Sequence, residues 1–255
     1  MSGKLLHHLT TALRHPGKLH ESFQYAVQRR IFPKDEEAKR IASWLHGDLP
    51  RVALTEIFPE AAQVDITLRR AYDRTIGTSI DIQELVTLVT LTRMIQAKTV
   101  LEIGTWDGNT TLNLAANTPE DARIVTVDLP EDWQGGFQIE VPEDHQNVTD
   151  RQRTGQQYRN TPEQAKITQV LGDSAQLDWS RLPAQFDLIF IDGCHSYEYA
   201  TLDTKNALAH LRPGGIVIWH DYGQIPEVSQ AVDETQGLKS KHAIRGTRLA
   251  VGLAN

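Results

Sequence analysis

Two carboxylates and two histidines stand where apolar runs of this chain stop. Phe186-Asp-Leu-Ile-Phe-Ile191 ends on Asp192-Gly-Cys-His195, and Gly215-Ile-Val-Ile-Trp219 ends on His220-Asp221. A carboxylate beside an imidazole can draw a proton from a hydroxyl, and two carboxylates can hold a divalent cation. Each apolar run reads as a strand buried on both faces, hence part of a parallel sheet covered by helices. In open parallel sheets the ligand crevice lies beyond the carboxyl ends of the strands. Asp192, His195, His220 and Asp221 are therefore expected in one crevice, with Asp192 and Asp221 at the ends of adjacent strands. Two hard oxygen ligands so placed suit one cation. His195, close after Asp192, is the candidate general base, because an imidazole titrates near neutral pH.

A second constellation lies upstream. Val100-Leu-Glu102-Ile-Gly104-Thr105-Trp106-Asp-Gly108-Asn-Thr-Thr reads as a strand, a glycine turn and the start of a helix. Glycines there let backbone approach a ligand, and the turn feeds a helix N-terminus. A dinucleotide fingerprint requires G-x-G-x-x-G, and Gly104-x-x-x-Gly108 lacks that spacing. Asp128, twenty residues after Gly108, ends the next strand and is placed to accept hydrogen bonds from ribose hydroxyls. A nucleoside-containing cofactor is expected. Glu102 as a cap for local amides, Asp128 as a turn former and Asp173-Ser174 as a helix cap are the structural alternatives.

The elements that must position these residues follow in order. Thr78 or Ser79 is expected to cap a helix with Ile82, Leu85, Leu88 and Val89 on its apolar face. Strand Thr99–Ile103, helix Asn109–Ala116, strand 123–127 ending on Asp128, strand Ile167–Leu171 ending on Gly172-Asp173 and strand Phe186–Ile191 come next. A helix near 197–211 leads through a Pro213-Gly214-Gly215 turn into strand 216–219. A helix near 227–235 and a strand over 248–253 close the chain. Alternating strands and helices imply a doubly wound α/β sheet. Residues 1–75 look helical and carry no strand signal, with Pro33, Pro50 and Pro59 dividing them into short helices. Their first thirty residues are basic, with apolar residues interspersed. Such helices suit packing on the main domain or on a second copy of the chain, or lying on a membrane surface. Residues 76–255 form the expected main domain, interrupted by a polar insertion at 129–166 with Trp133, Phe137 and Tyr158. A connection that long is read as a substrate lid or a surface insertion.

The Glu102-x-Gly104-x-x-x-Gly108 loop, Asp128, Gly172-Asp173 and Leu211-Arg-Pro-Gly-Gly215 together resemble class I S-adenosylmethionine-dependent methyltransferases over about residues 76–253. The resemblance implies a Rossmann-like, mostly parallel seven-stranded sheet. It implies that the loop from Glu102 to Gly108, with Thr105 and Trp106, lines the methionine part of the cofactor. Asp128 would hold the ribose, and Asp173 with Ser174 would approach the adenine. Gly77-Thr78-Ser79 is similar to a segment of catechol-type O-methyltransferases that touches the cofactor's carboxylate. Asp192-Gly-Cys-His195 and His220-Asp221 resemble the metal-dependent branch that includes macrolide-sugar O-methyltransferases. That implies Asp192 and Asp221 as metal ligands, His195 as base, and Asp192 also near the cofactor. His220 stands where that branch favours a carboxylate. Imidazole is a poor magnesium ligand, so either His220 stands behind the ligands or it binds a softer metal than magnesium.

The expectation is an O-methyltransferase acting on a small hydroxylated molecule, a sugar or secondary metabolite, with a divalent metal such as magnesium or manganese. A metal-free enzyme with a histidine base, a nicotinamide oxidoreductase and a non-catalytic cofactor-binding subunit are the alternatives. The glycine spacing opposes the oxidoreductase, and the Asp192, His195 and Asp221 set opposes the inert subunit. A net charge of -7 disfavours nucleic acid, and no run reaches the length of a membrane helix. Cys194 is the only cysteine, so a reducing, cytoplasmic setting is expected.

Overall fold

A computed structural model describes residues 46–71, 80–133, 136–141 and 154–255. The basic N-terminal segment expected to be helical, together with Thr78 and Ser79, lies outside the described residues.

The strands are β1 (Arg51–Val52), β2 (Thr99–Ile103), β3 (Arg123–Asp128), β4 (Ile167–Leu171), β5 (Phe186–Ile191), β6 (Leu211–Trp219), β7 (Leu238–Ile244) and β8 (Ala250–Ala254). The helices are α1 (Leu54–Ile57), α2 (Ile82–Met94), α3 (Asn109–Ala116), α4 (Tyr197–His210) and α5 (Pro226–Glu234). The sheet runs β1-β7-β8-β6-β5-β2-β3-β4, and strand order reverses between β2 and β5. All pairings are parallel except β8, which runs antiparallel between β6 and β7.

Side-chain alternation along the strands makes two cores. Val100, Ile124, Leu188, Phe190, Ile216 and Ile218 pack with Leu85, Leu88 and Leu91 of α2 and Leu114 of α3. Leu101, Ile103, Val125, Ile189, Ile191 and Val217 pack with Ala200 and Ala207 of α4 and Val228 and Val232 of α5. Burial on both faces is what the continuous apolar runs demanded.

Five expectations are corrected. The segment read as wholly helical contributes β1, which pairs with β7 through Arg51↔Ala243 and Val52↔Ile244. Helix α2 is capped by Asp81, whose side chain accepts from the Gln83 amide, in a capping box with Glu84. Pro213-Gly214-Gly215 lies inside β6 as a bulge, because Phe186 pairs with Leu211 whereas Leu188 already pairs with Ile216. Strand β7 was not anticipated, and the closing strand starts at Ala250 instead of 248. With β1 the sheet has eight strands, one more than expected.

Candidate active site

At the carboxyl ends of β2 and β5 two loops meet with no room for a side chain. Gly104 has φ +97°, and a Cβ there would lie 2.0 Å from the Asp192 carbonyl oxygen. The Gly104 amide donates to the Val127 carbonyl (2.9 Å) and the Asp192 amide to that of Ile103 (2.8 Å). Trp106, at φ +48°, is held because its amide donates to Asp128 Oδ2 at 2.7 Å. Asp128 Oδ1 accepts from the Leu129 amide at 2.7 Å. Both carboxylate oxygens thus carry a backbone amide and retain further lone pairs for a ligand.

Glu102 is buried in β2. Its Oε2 accepts from Thr111 and from Thr126 Oγ1 (2.6 Å), and Thr105 Oγ1 joins Thr126 Oγ1 at 2.6 Å. Its Oε1 is buried without a hydrogen-bond partner. Burial outweighs the two hydroxyls and pushes its pKa up to about 8. Gly108, at φ +84°, precedes α3, and a Cβ there would strike the Tyr158 ring. That ring belongs to a strap from the insertion. The Gly155 amide donates to the Trp106 carbonyl and the Gln157 amide to the Asp107 carbonyl, both at 2.8 Å.

A cavity of about 260 Å³ opens above these loops. Gly104, Trp106, Asp128, Asp173, Ser174, Asp192 and His195 line it, with Phe137 and Val141 from the insertion and Tyr199 from α4. Of the expected cofactor residues, Glu102, Thr105 and Gly108 stand behind its wall. Asp173 is not a helix cap. Its Oδ1 accepts from the Ala175 amide (2.9 Å) and the Tyr199 hydroxyl (3.0 Å), and Oδ2 from Gln176 Nε2 (3.1 Å).

Asp192 and His195 of this lining converge with Asp221 behind it. Ligating atoms of Asp192, His195 and Asp221 lie within 4.8 Å of one another. His195 Nε2 is 3.1 Å from Asp221 Oδ2 and 4.0 Å from Asp192 Oδ1. Asp192 and Asp221 follow the paired residues Ile191 and Trp219 of β5 and β6, as adjacent strand ends should. Asp221 has φ +55°. His220 is buried behind the cavity, its Nδ1 3.0 Å from Asp192 Oδ1 and 3.2 Å from Asp221 Oδ2 and its Nε2 3.0 Å from Glu84 Oε2.

Glu84 and Arg248 complete the cluster, and neither was expected there. Glu84 Oε1 accepts from the Arg248 amide (2.8 Å) and Nε (2.9 Å), and its Oε2 from Nη2 (2.8 Å). Arg248 Nη1 donates to Asp221 Oδ1 at 3.0 Å. Burial alone would raise the Glu84 and Asp221 carboxyls, but His220 and Arg248 hold both below the usual carboxylate range. Burial alone would lower His220, and Asp192, Asp221 and Glu84 overcome it and raise its pKa well above 6.5. The signal available for Glu84 was Asp81-x-x-Glu84, which announces a helix cap and nothing more.

Residues 101–222 match a family model described as a methyltransferase domain. No curated protein matches the chain. Among solved structures, the O-methyltransferase TomG from Streptomyces achromogenes, involved in tomaymycin synthesis and solved with S-adenosylmethionine, superposes with a TM-score of 0.53. It is 16% identical, and the match covers 78% of this chain and 96% of that one. An O-methyltransferase from Bacillus cereus, solved with the demethylated cofactor, is 18% identical over 90% of this chain and 96% of its own, with a TM-score of 0.46. At such identities the likeness to TomG is one of fold.

Proposed function

We propose that the chain, whose residues 101–222 match a methyltransferase domain, is an S-adenosylmethionine-dependent methyltransferase that methylates a hydroxyl of a small molecule, a sugar or secondary metabolite, at Asp192, His195 and Asp221. The observation that carries this reading is that Asp192 and His195, which line the same cavity as Gly104 and Asp128, meet the buried Asp221.

The cofactor supplies an electrophilic methyl group on a sulfonium. The residues present suit it: Asp128 has acceptor capacity facing the cavity, and the Gly104 turn leaves backbone bare where a side chain could not fit. Glu102 stands behind the glycine turn and braces it through Thr111 and Thr126. In transfer the acceptor oxygen forms a bond to the methyl carbon as the carbon–sulfur bond breaks, and the hydroxyl proton must leave. His195 receives that proton. Asp221, 3.1 Å from its Nε2, orients the ring and stabilises the imidazolium that forms.

The donor set also fits a divalent metal, since two carboxylates and an imidazole present ligand atoms within 4.8 Å of one another. Asp192 and Asp221 would hold it, and a bound cation would lower the pKa of the acceptor hydroxyl. A metal-free enzyme is the second reading, favoured by the direct His195–Asp221 contact.

Chelation separates the two. With metal assistance, a chelator abolishes turnover, added metal restores it, and binding of the demethylated cofactor survives. His195→Ala is expected to slow transfer by about a hundred- to ten-thousandfold with cofactor binding retained. Full activity in chelator with a large loss in His195→Ala would leave the histidine and remove the metal. Full activity in both would end this reading of the site.

A further inference from the structure

The cavity wall runs from the end of β3 to the end of β4. Asp128 and Leu171 are paired residues of those strands, and Gly172, Asp173 and Ser174 continue the wall beyond Leu171. A nucleoside whose ribose meets Asp128 would extend its base toward Asp173, where a carboxylate with a spare lone pair could accept from an amino group on the base. The oxygens of Asp173 are already engaged. Oδ1 accepts from the Ala175 amide (2.9 Å) and the Tyr199 hydroxyl (3.0 Å). Oδ2 accepts from Gln176 Nε2 (3.1 Å) and, at the longer distance of 3.4 Å, from the Gln138 amide. A carboxylate offers about four lone-pair sites, and these donors fill them. Two of the donors lead into the insertion. Gln138 belongs to it, and Gln176 Nε2 also donates to the Gly136 carbonyl at 2.9 Å. The segment tied down in this way carries Phe137 and Val141, which line the cavity. Trp133 stands tilted against Phe137, with 6.2 Å between ring centroids.

We propose that Asp173 is a positioning residue that does not read the cofactor's base but tethers residues 136–141 over it, so that Phe137 supplies the contact by stacking. This device rests on the cofactor reading above. It adds Phe137 as the base contact and Gln176, an exposed residue outside the cavity lining, as part of the binding machinery. The consequence is a particular kind of selectivity. Stacking on an aromatic side chain tolerates changes of ring substituent, because every base presents a π-face. Asp173 therefore contributes to affinity without distinguishing an amino group on the base from a carbonyl.

The test is calorimetric titration of two ligands into the full chain. One is S-adenosylhomocysteine, the demethylated cofactor, and the other is its inosine counterpart, in which a carbonyl replaces the amino group. Gln176→Ala is the decisive variant, since the position is exposed and its loss cuts the tether without entering the cavity. If Asp173 accepted from the base, removing Gln176 would free a lone pair and leave binding unchanged or tighter. Loss of the tether should instead weaken both ligands by about three- to tenfold. Phe137→Ala should weaken both by about five- to a hundredfold, the range for one aromatic–base stack. Adding Gln176→Ala to Phe137→Ala should cost less than about twofold more, because the tether acts through that ring. Asp173→Asn should lower both affinities by one factor and leave their ratio as in wild type. Should Asp173→Asn fail to fold, as circular dichroism would show, Gln176→Ala alone decides. Unchanged or tighter binding in Gln176→Ala, or a ratio that swings toward the inosine ligand in Asp173→Asn, would overturn the tether and leave the cofactor site standing. No binding of either ligand to wild type would overturn the cofactor reading and the tether with it.

Discussion

Glu102 shows what a buried acid costs and what it can report. Its folded pKa, pushed up to about 8 from 4.5 by burial, means that the native state holds a proton the unfolded chain has released. Stability from this group is fully present below pH 4.5 and is lost as pH rises through 8. Asp203, buried beneath Gly193, is pushed up to about 7 by the same desolvation and adds to the decline. Denaturant unfolding between pH 5 and 8 should therefore show falling stability, and Glu102→Gln should flatten that slope. An unchanged slope would mean that Glu102 is ionised in the native state. At this scale the sequence was partly legible. Asp192, His195 and Asp221 could be located because they follow closely on the carboxyl ends of two apolar runs. Glu84 could not, since its partners His220 and Arg248 lie 136 and 164 residues away and its local surroundings spell only a helix cap.

Among the elements, the central strands were legible because both faces are buried and the apolar run leaves no alternative. Strand β7 was hidden for the opposite reason. Leu238-Lys-Ser-Lys-His-Ala-Ile244 lies near the sheet edge, is only partly buried along most of its length, and so lacks an apolar run. The bulge in β6 was misread as a turn because Pro-Gly-Gly carries the same composition in either setting. The crossing of the β2 and β5 loops yields a sharp expectation. In Gly104→Ala the new methyl must displace the Asp192 carbonyl, and an L-residue must also hold φ +97°. The variant should lose about 1–3 kcal/mol of stability. It should also bind the demethylated cofactor much more weakly, because both loops shift together. Calorimetry on the purified variant reads both, and wild-type affinity would mean that the loops yield without consequence.

Across the whole molecule, residues 46–52 clasp the loop that carries Asp221. The His46 amide donates to the Gly223 carbonyl (3.1 Å), the Leu49 amide to the Tyr222 hydroxyl (2.8 Å), and that hydroxyl to Asp233 Oδ1 (2.6 Å). Tyr222→Phe strands the Leu49 amide and should cost about 1–3 kcal/mol in thermal or denaturant unfolding. A loss below a few tenths would mean that water replaces the hydroxyl. Strand β8 has a different kind of consequence, one that concerns time. Synthesis delivers β6 and β7 first, yet they are not neighbours in the sheet; β8, made after both, must slide between them. Until residue 250 has left the ribosome, β6 offers an unpaired apolar edge to any other chain nearby, and Arg248 has only just appeared to balance Glu84 and Asp221. A nascent chain stalled in that window has most of its cofactor loops and none of its finished reaction centre. Its open edge makes it a natural client for a chaperone.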